Sequence, residues 1–501
     1  MQKHKYLLSP NPIVKYFEKP SELFTKDDLI RYIQDNDIQL INFHYVAEDG
    51  RMKTLNFVIN NLEHLDSILS SGERVDGSSL FSHIKAGESD LYVIPKYRTA
   101  FVNPFNEIPT LGLMCSFFTK DGTPLESSPE YILHKASKVL TEKTGFEYEV
   151  MGELEYYIIT DEEDLFPAED QKGYHESGPF NKTGNFRKEA MRLIASCGGM
   201  IKYGHSEVGN FIHNGKNYEQ NEIEFLPCPV EDAANQLIIA KWILRKLAYE
   251  YGVTLTFAPK ITVGKAGSGL HIHTRLMKDG KNMLIENGKL TPTAHKLIAG
   301  YLRYAPSLTA FGNTNPTSYF RLVPHQEAPT TICWGDRNRS TLVRVPLGWT
   351  EKNDMARIAN PLETAEAPDF SHKQTVEFRC PDGSANIYLL LAGLTVAAKD
   401  GLLWDKALDF AEKTYVDINI FDNEYKDRIN SLEVLPDSCH KSALKLEKHK
   451  GDYLNDGIFT ADIIEQIISN LKSYGDDDIR QRAKDNPQIL EDLVGEFFYC
   501  G

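Results

Sequence analysis

The chain has 501 residues, of which 41% are hydrophobic and 25% charged, and 71 acidic residues against 55 basic ones give it a formal charge of −16. This length predicts two or more domains, and the composition is that of a water-soluble globular protein. The negative charge argues against nucleic acid or an anionic membrane as a partner, because both repel an acidic surface.

The cysteines and the apolar segments indicate the cellular environment. The seven cysteines are scattered without a CxxC pair, which predicts reduced thiols and neither a disulfide framework nor a zinc site. The first residues are too polar for a signal peptide, and the longest apolar stretch, around residues 388–398, is too short for a membrane span. We therefore expect a soluble, cytoplasmic protein.

Residues 1–120 predict a small α+β domain. Thr25 and Asp28 have the spacing of a capping box, at the start of a helix that continues to Asp35. Two strand-like runs follow, at residues 38–46 and 52–59. The Glu-Asp-Gly sequence at residues 48–50 between them predicts a hairpin turn.

Residues 121–501 predict a larger domain. Strand-like runs alternate with helical stretches between residues 148 and 387, and one of these helices is predicted at 231–251. Residues 347–373, rich in Asn, Ala, Pro and Glu, predict a loop. The region from about residue 400 is mostly helical, for example at 460–473 and 487–498.

Four predicted strands of the larger domain each carry two polar residues at positions i and i+2, which places both on one face. The pairs are Glu153 and Glu155, Glu222 and Glu224, His271 and His273, and Glu377 and Arg379. Each pair alone is compatible with the solvent-exposed face of an ordinary antiparallel strand. Carboxylates and imidazoles that recur across one region indicate instead that the strands line a common cavity. Cations would be needed to hold so many carboxylates together, and a set with histidine but no thiolate favours Mg²⁺ or Mn²⁺ over zinc.

Three arginines predict a polyanionic ligand for the same cavity. Arg321, Arg339 and Arg344 are planar, bidentate donors that suit carboxylate or phosphate oxygens, although a lone arginine is more often a surface salt-bridge residue. Beside a metal–carboxylate site they indicate ATP. The glycine-rich residues 264–269 lack the GK[ST] sequence that ends a Walker phosphate-binding loop. They predict only a close approach of the backbone to a ligand before His271.

In this order, the motifs resemble those of class I glutamine synthetases of the bacterial and archaeal type, over about residues 76–390. The matching segments are Asp76-Gly-Ser-Ser79, Gly152-Glu-Leu-Glu155, Gln220-Asn-Glu222, Gly267-Ser-Gly-Leu-His271, Arg321-Leu-Val-Pro324, Glu327-Ala-Pro329, Asn338-Arg-Ser340 and Glu377-Phe-Arg379. The resemblance implies an α+β protein with a β-grasp-like domain at residues 1–120. It also implies a catalytic domain at residues 121–501, with a curved antiparallel sheet or half-barrel flanked by helices.

The resemblance further implies a role for each matching residue. One metal ion is expected on Glu155, Glu207 and Glu222, and the other on Glu153, His271 and Glu377. ATP phosphates are expected to contact His273, Arg339 and Arg344, and glutamate to contact Gly267, Arg321, Glu327 and Arg379. Ammonium is expected to bind among Asp76, Ser79, Tyr174 and Glu207. Asp76, Glu327 and Arg339 are the expected catalytic residues; Asp76 accepts a proton from ammonium, and Glu327 lies on a flap that shields the reaction from water.

The implied reaction is the ATP-dependent ligation of ammonia to L-glutamate through γ-glutamyl phosphate, with two or more Mg²⁺ or Mn²⁺ ions. The implied assembly is a homododecamer of two hexameric rings, in which Asp76 reaches the active site of a neighbouring subunit. Three positions depart from the family. Ala266 replaces an asparagine that helps to hold glutamate, and Glu433 replaces a tyrosine that is adenylylated in some members. Thr375 replaces an arginine, so a phosphate contact is expected from another residue such as Lys373.

Three alternatives remain open at this stage. The first is a related γ-glutamyl ligase that uses a polyamine or another amine in place of ammonia, which Ala266 keeps open. The second is a non-catalytic scaffold or sensor, which the complete set of metal ligands disfavours. The third is a metal-dependent phosphotransferase or hydrolase. Glu224 matches no ligand of the family, and we expect its pairing with Glu222 to be a coincidence of the strand pattern.

Overall fold

The computed structural model describes residues 6–85, 87, 89–105, 107–323, 328–348, 355–366, 370–417 and 432–501. Two sheets organise the chain. The first sheet belongs to the N-terminal part and the second to the larger part that follows it.

The N-terminal sheet has six strands: β1 Leu40–Val46, β2 Met52–Val58, β3 Glu73–Asp76, β4 Asp90–Pro95, β5 Phe101–Val102 and β6 Thr110–Phe118. Their order is β2-β1-β6-β4-β3, with β5 beside β6, and β1 runs parallel to β6 while the other pairs are antiparallel. Helices α1 Pro12–Phe17, α2 Lys26–Asp35 and α3 Leu62–Ser71 contribute apolar side chains to one core with this sheet. This arrangement confirms the predicted β-grasp-like fold.

The local predictions for this region are confirmed. The side chain of Asp28 accepts a hydrogen bond from the backbone N–H of Thr25 at 2.7 Å, and the hydroxyl of Thr25 accepts one from the N–H of Asp28 at 3.3 Å. This capping box satisfies backbone donors that have no partner inside the helix. The predicted hairpin is also present, since Val46 pairs with Met52 across the turn.

The second sheet has ten strands, and it curls into a half-barrel. Its main path, in the order β16-β17-β18-β12-β7-β9-β8, consists of β7 Glu147–Asp161, β8 Ile201–His213, β9 Lys216–Phe225, β12 Leu270–Lys278, β16 Trp334–Asp336, β17 Val343–Val345 and β18 Val376–Phe378. Three short strands extend it: β10 Cys228–Pro229, β11 Thr254–Thr256 and β13 Lys281–Asn282. Strands β14 Ile285–Glu286 and β15 Lys289–Leu290 form a separate hairpin. Except for the parallel pair β16 and β17, the pairs are antiparallel, as predicted.

Helices bury one face of this sheet. The long ones are α4 Pro129–Thr144, α5 Gly184–Ser196, α6 Val230–Tyr251, α7 Pro292–Gly312 and α10 Ile387–Leu403, with the short α8 Ser318–Arg321, α9 Met355–Ala359 and α11 Ala407–Thr414 between or beside them. Helix α10, buried along nearly its whole length, packs against α4, α6 and α7, so the helices and the sheet share one core. The other face of the sheet is left to carry polar side chains. None of the described helices is long and apolar enough to cross a membrane by itself; α10 and α11 reach that length together, bent by 111°.

The C-terminal region is helical, as predicted, with α12 Cys439–Leu454, α13 Ala461–Ser473, α14 Ile479–Asp485 and α15 Gln488–Phe497. The loop prediction for residues 347–373 is wrong in one part. Helix α9 forms there from the sequence Met-Ala-Arg-Ile-Ala, whose Met, Ala and Arg residues favour helix even within a segment with many turn-forming residues.

Candidate active site

The polar pairs predicted on four strands lie together on one face of the half-barrel. The register places Glu153 opposite both Glu224 and His271, and Glu155 opposite Glu222. His273 lies opposite Glu377, whose other neighbour across the sheet is Arg344. The four strands therefore line a common cavity, as their sequence pattern predicts.

The cavity has a volume of about 1270 Å³. The predicted site residues that line it are Glu153, Glu155, Tyr174, Glu207, Glu222, Gly267, His271, His273, Arg321, Arg339, Arg344, Glu377 and Arg379. Asp76 and Ser79 are not among the lining residues that the structure describes. They lie at the end of the N-terminal sheet, where the exposed carboxylate of Asp76 accepts a hydrogen bond from the Ser79 hydroxyl at 2.7 Å. Glu327 lies outside the described residues.

Donor atoms within the cavity form groups that could hold metal ions. Glu153, His271 and Glu377 offer ligand atoms that all lie within 4.8 Å of one another. His205, Glu207 and Glu222 form a second such group. These groups contain five of the six residues that the resemblance assigns to metals.

The sixth residue, Glu155, is held by its neighbours. One of its carboxylate oxygens accepts hydrogen bonds from the backbone N–H of Gly269 at 2.7 Å and from the side chain of Gln220 at 3.0 Å. Its other oxygen lies 3.8 Å from Nε2 of His271. Glu155 therefore stands between the two groups, and its orientation is set by main chain and amide donors.

Burial and mutual repulsion make these carboxylates costly to ionise together. Burial raises the pKa of Glu155 to about 7. Burial, followed by the charges of Glu153 and Glu155, raises the pKa of Glu222 well above its ordinary value. The pKa of Glu153 would also rise through burial, but the adjacent His273 holds it well below the usual range. Divalent cations would remove this repulsion, and carboxylate oxygens with an imidazole are donors that they accept, so the site fits Mg²⁺ or Mn²⁺.

The arginines are fixed by the same carboxylates and by main-chain carbonyls. Glu377 accepts hydrogen bonds from Arg344 at 2.8 Å and from Arg379 at 3.0 Å. The buried Arg321 donates to the carbonyl of Cys380 at 2.8 Å. Rigid guanidinium groups beside a metal site are suited to bind the oxygens of a phosphate or carboxylate.

Thr375 has a role that the sequence did not indicate. Its hydroxyl lies 2.9 Å from Nδ1 of His273, whose Nε2 lies 2.8 Å from Glu153. Thr375 therefore orients the imidazole of a predicted phosphate-binding residue. Lys373, suggested as a replacement for the missing arginine, does line the cavity.

The glycine-rich segment before His271 is required by close packing. A Cβ atom on Gly269 would come within 2.5 Å of Nη2 of Arg321 and within 2.9 Å of Nε2 of His271. A Cβ atom on Gly267 would come within 2.5 Å of the carbonyl oxygen of Pro259. These glycines therefore let the backbone pass close to two site side chains, and the predicted close approach to a ligand stays a prediction.

Two functional candidates were missed or misjudged from sequence. The sequence prediction did not include His205, whose Nε2 lies 3.2 Å from Glu222; it forms a further i, i+2 pair with Glu207, and this spacing was the signal that could have found it. Glu224 was expected to be a coincidence of the pattern, but it is buried, lines the cavity and lies 2.7 Å from Nζ of Lys202. Its i, i+2 relation to Glu222 was the signal that could have found it.

Comparisons with known proteins agree with this geometry. Residues 37–120 match the glutamine synthetase β-grasp domain, and residues 126–486 match the glutamine synthetase catalytic domain. A glutamine synthetase from Frankia alni is 30% identical over 498 residues, which cover 92% of this chain and 98% of that protein. One from Pyrococcus furiosus is 31% identical over 419 residues, which cover 83% and 86%. A Plasmodium falciparum glutamine synthetase structure superposes with a TM-score of 0.73 at 20% identity, covering 91% of this chain and 96% of that one.

Proposed function

The chain belongs to the glutamine synthetase family of ATP-dependent ligases, and from this premise we propose that it joins ammonia to the γ-carboxyl group of L-glutamate. The reaction proceeds through γ-glutamyl phosphate and releases ADP and phosphate. The observation that carries the proposal is the shared cavity, in which buried carboxylates and histidines of the kind that bind divalent cations lie beside five arginines.

In this proposal, the carboxylates hold two cations. Glu153, His271 and Glu377 hold one, and Glu155, Glu207 and Glu222 hold the other, with His205 close enough to join the second set. When bound, these ions neutralise the charge on the phosphoryl group as it is transferred. The raised pKa values of Glu155 and Glu222 support the second set, because these carboxylates gain most from a nearby positive charge.

The arginines act on the two anionic substrates. Arg339, Arg344 and His273 contact the phosphates of ATP, and Glu377 keeps Arg344 in position. Arg321, Arg379 and the backbone at Gly267 hold glutamate. A carboxylate is a poor electrophile, so its conversion to an acyl phosphate is the step that positioning and charge stabilisation must accelerate.

The acceptor site explains why we favour ammonia. Tyr174 and Glu207 line one side of the cavity, where a phenol and a carboxylate suit an ammonium ion. Hydrogen bonds from Ser78 and Ser79 lower the pKa of Asp76, which keeps this carboxylate ionised although it makes it a weaker base; in this proposal it accepts a proton from ammonium. Glu327 closes the site as a flap residue in this proposal.

The position of Asp76 supports a homo-oligomer. Asp76 and Ser79 are exposed and do not line the described cavity of their own chain, so in this proposal a second copy of the chain supplies them. The family resemblance suggests two stacked hexameric rings. In such an assembly each active site forms between two subunits.

The test measures phosphate release from ATP with Mg²⁺ and glutamate, and compares ammonium with a panel of amines that includes ethylamine and putrescine. We expect turnover that requires glutamate and is fastest with ammonium. Turnover only with a larger amine would identify a γ-glutamyl ligase of another specificity. Phosphate release without glutamate would support a phosphotransferase or hydrolase, and no turnover at all would support a non-catalytic role; either result would refute the proposal.

A further inference from the structure

A glutamine side chain lies beside Ala266, at the end of the cavity where the amino-acid substrate is expected. Gln171 lies in the segment between β7 and α5 and lines the same cavity as Ala266, Gly267 and Arg321. Its Oε1 accepts a hydrogen bond of 2.7 Å from the backbone N–H of Ala266. Its side chain therefore crosses from a separate loop to the glycine-rich segment.

This contact determines which end of the carboxamide faces the substrate. A backbone N–H can only donate, so the oxygen of Gln171 must point to Ala266 and the amide nitrogen must point elsewhere. That nitrogen makes a long contact of 3.4 Å with the carbonyl of Asn210. The described residues offer this nitrogen no other hydrogen bond, so one of its two N–H bonds is available to a further acceptor.

The loop that carries Gln171 is held firmly. Its main chain runs beside β8, with hydrogen bonds from Gln171 N to Asn210 O at 2.8 Å and from Gly173 N to Val208 O at 3.2 Å. Nζ of Lys265, next to Ala266, lies 2.7 and 2.5 Å from the two carboxylate oxygens of Asp170. The side chain of Gln171 is therefore positioned before any ligand binds.

The backbone of Gln171 is also unusual. Its φ is 57°, in the left-handed region that a residue other than glycine adopts at a cost. Asn and Asp tolerate this region best, and Gln has no such advantage. The strain is accepted at a position where the side chain reaches the site.

We propose that Gln171 is a substrate-binding residue whose amide N–H binds the α-carboxylate of the amino-acid substrate. It would supply the carboxamide that position 266 lacks, since the methyl group of Ala266 cannot form a hydrogen bond. This inference rests on the proposed function, because it takes glutamate as the substrate. It also explains how a chain with alanine at position 266 retains a polar contact at this end of the cavity.

The test compares Gln171→Glu with Gln171→Ala. Glutamate at position 171 keeps an oxygen that accepts the Ala266 N–H, and so keeps the loop contact, but it removes the donor and adds a negative charge. We expect Gln171→Ala to raise KM for glutamate about 10-fold or more, and Gln171→Glu to raise it further, since a hydrogen bond to a charged group is lost in both. We expect KM for ATP to stay within about twofold of the wild-type value, because the phosphates bind elsewhere.

Two further variants sharpen the test. In Gln171→Ala, the added change Ala266→Asn should restore much of the glutamate KM by returning a carboxamide to the site. Lys172→Ala is the matched control, because Lys172 is exposed on the same loop and contacts Glu169 outside the cavity. It should leave the glutamate KM unchanged.

Calorimetric binding of glutamate to each variant separates this inference from the proposed function. If the wild-type protein turns over and Gln171→Glu has the same KM for glutamate, the substrate-binding role of Gln171 is overturned and the proposed function is not. Gln171 would then only hold the loop in place. Glutamate binding that depends on Gln171 in a protein without ligase activity would support the residue's role and refute the reaction. Absence of glutamate binding to the wild-type protein would overturn both.

Discussion

Glu222 is the residue at which function and stability are expected to conflict most clearly. It is buried, and it lies with Glu207 in a group whose donor atoms are all within 4.8 Å of one another. Two ionised carboxylates at that separation repel by about 3 kcal/mol at an effective dielectric constant of about 20. We therefore expect Glu222→Gln to stabilise the metal-free protein, by about 1–3 kcal/mol once partial protonation of the wild-type site is allowed for.

Added metal should make the wild-type protein more stable than Glu222→Gln. Mg²⁺ at a hundred times its Kd would stabilise the wild-type protein by about 2.7 kcal/mol, and a variant that lacks this carboxylate should lose most of the gain. Thermal unfolding in EDTA and in saturating Mg²⁺ would measure both effects. The variant should melt roughly 1–3 °C above the wild type in EDTA and below it in Mg²⁺, since the unfolding entropy of a chain of this length makes 1 kcal/mol worth only about 1 °C.

Glu219→Gln is the control for this comparison. Glu219 lies on the same strand and is equally buried, but its carboxylate accepts hydrogen bonds from Thr183 at 2.8 and 2.9 Å and from Lys182 N at 2.9 Å. Replacing one of its oxygens with an NH₂ group should destabilise the protein with and without metal. If Glu222→Gln is also destabilising in EDTA, repulsion between the carboxylates is not what the metals relieve, and the metal assignment loses its physical basis.

Two other predictions test the assembly and the N-terminal domain. The variants Asp76→Asn and Arg344→Gln should each be inactive alone. When the two chains are mixed in equal amounts and reassembled, about a quarter of the wild-type activity should return, because a quarter of the interfaces combine an intact Asp76 with an intact Arg344. If each site forms within one chain, mixing should restore no activity. Burial lowers the pKa of His44 from 6.5 to about 4. Between these pH values the unfolded chain binds a proton that the folded chain does not, so the free energy of unfolding should fall by about 3 kcal/mol as the pH drops from 6.5 to 4. Urea unfolding across that range should show the loss in the wild type and a smaller one in His44→Gln, and equal slopes for the two proteins would contradict the assignment.

Local patterns in the sequence predicted much of the fold and of the cavity. The capping box at Thr25 and Asp28 depends on residues three positions apart, and both of its hydrogen bonds form. The i, i+2 pairs likewise depend only on the geometry of one strand. Because four such pairs have the same chemistry, their meeting on one sheet could be inferred, although their order across the sheet could not.

Contacts between distant segments could not be predicted in the same way. Gln171 and Ala266 are separated by 95 residues, and nothing in either local sequence indicates that they meet. Thr375 and His273 are separated by 102 residues, and a threonine in place of an arginine indicated only a lost contact. Such pairs depend on the curl of the whole sheet, which brings loops from different strands to the same cavity.

Glu207 lies on a strand whose pairing with its neighbour is irregular. On β8, the pairing with β9 moves from Ser206 opposite Asn221 to Asn210 opposite Glu219, so four steps on one strand match two on the other. This bulge begins after Ser206 and interrupts the regular alternation of faces beyond it. His205 lies opposite Glu222 before the bulge, and Glu207 is two residues further on, so both face Glu222 as the i, i+2 spacing predicts. This end of the cavity could therefore have been predicted from the spacing of His205 and Glu207, although it was the resemblance to a family that identified Glu207.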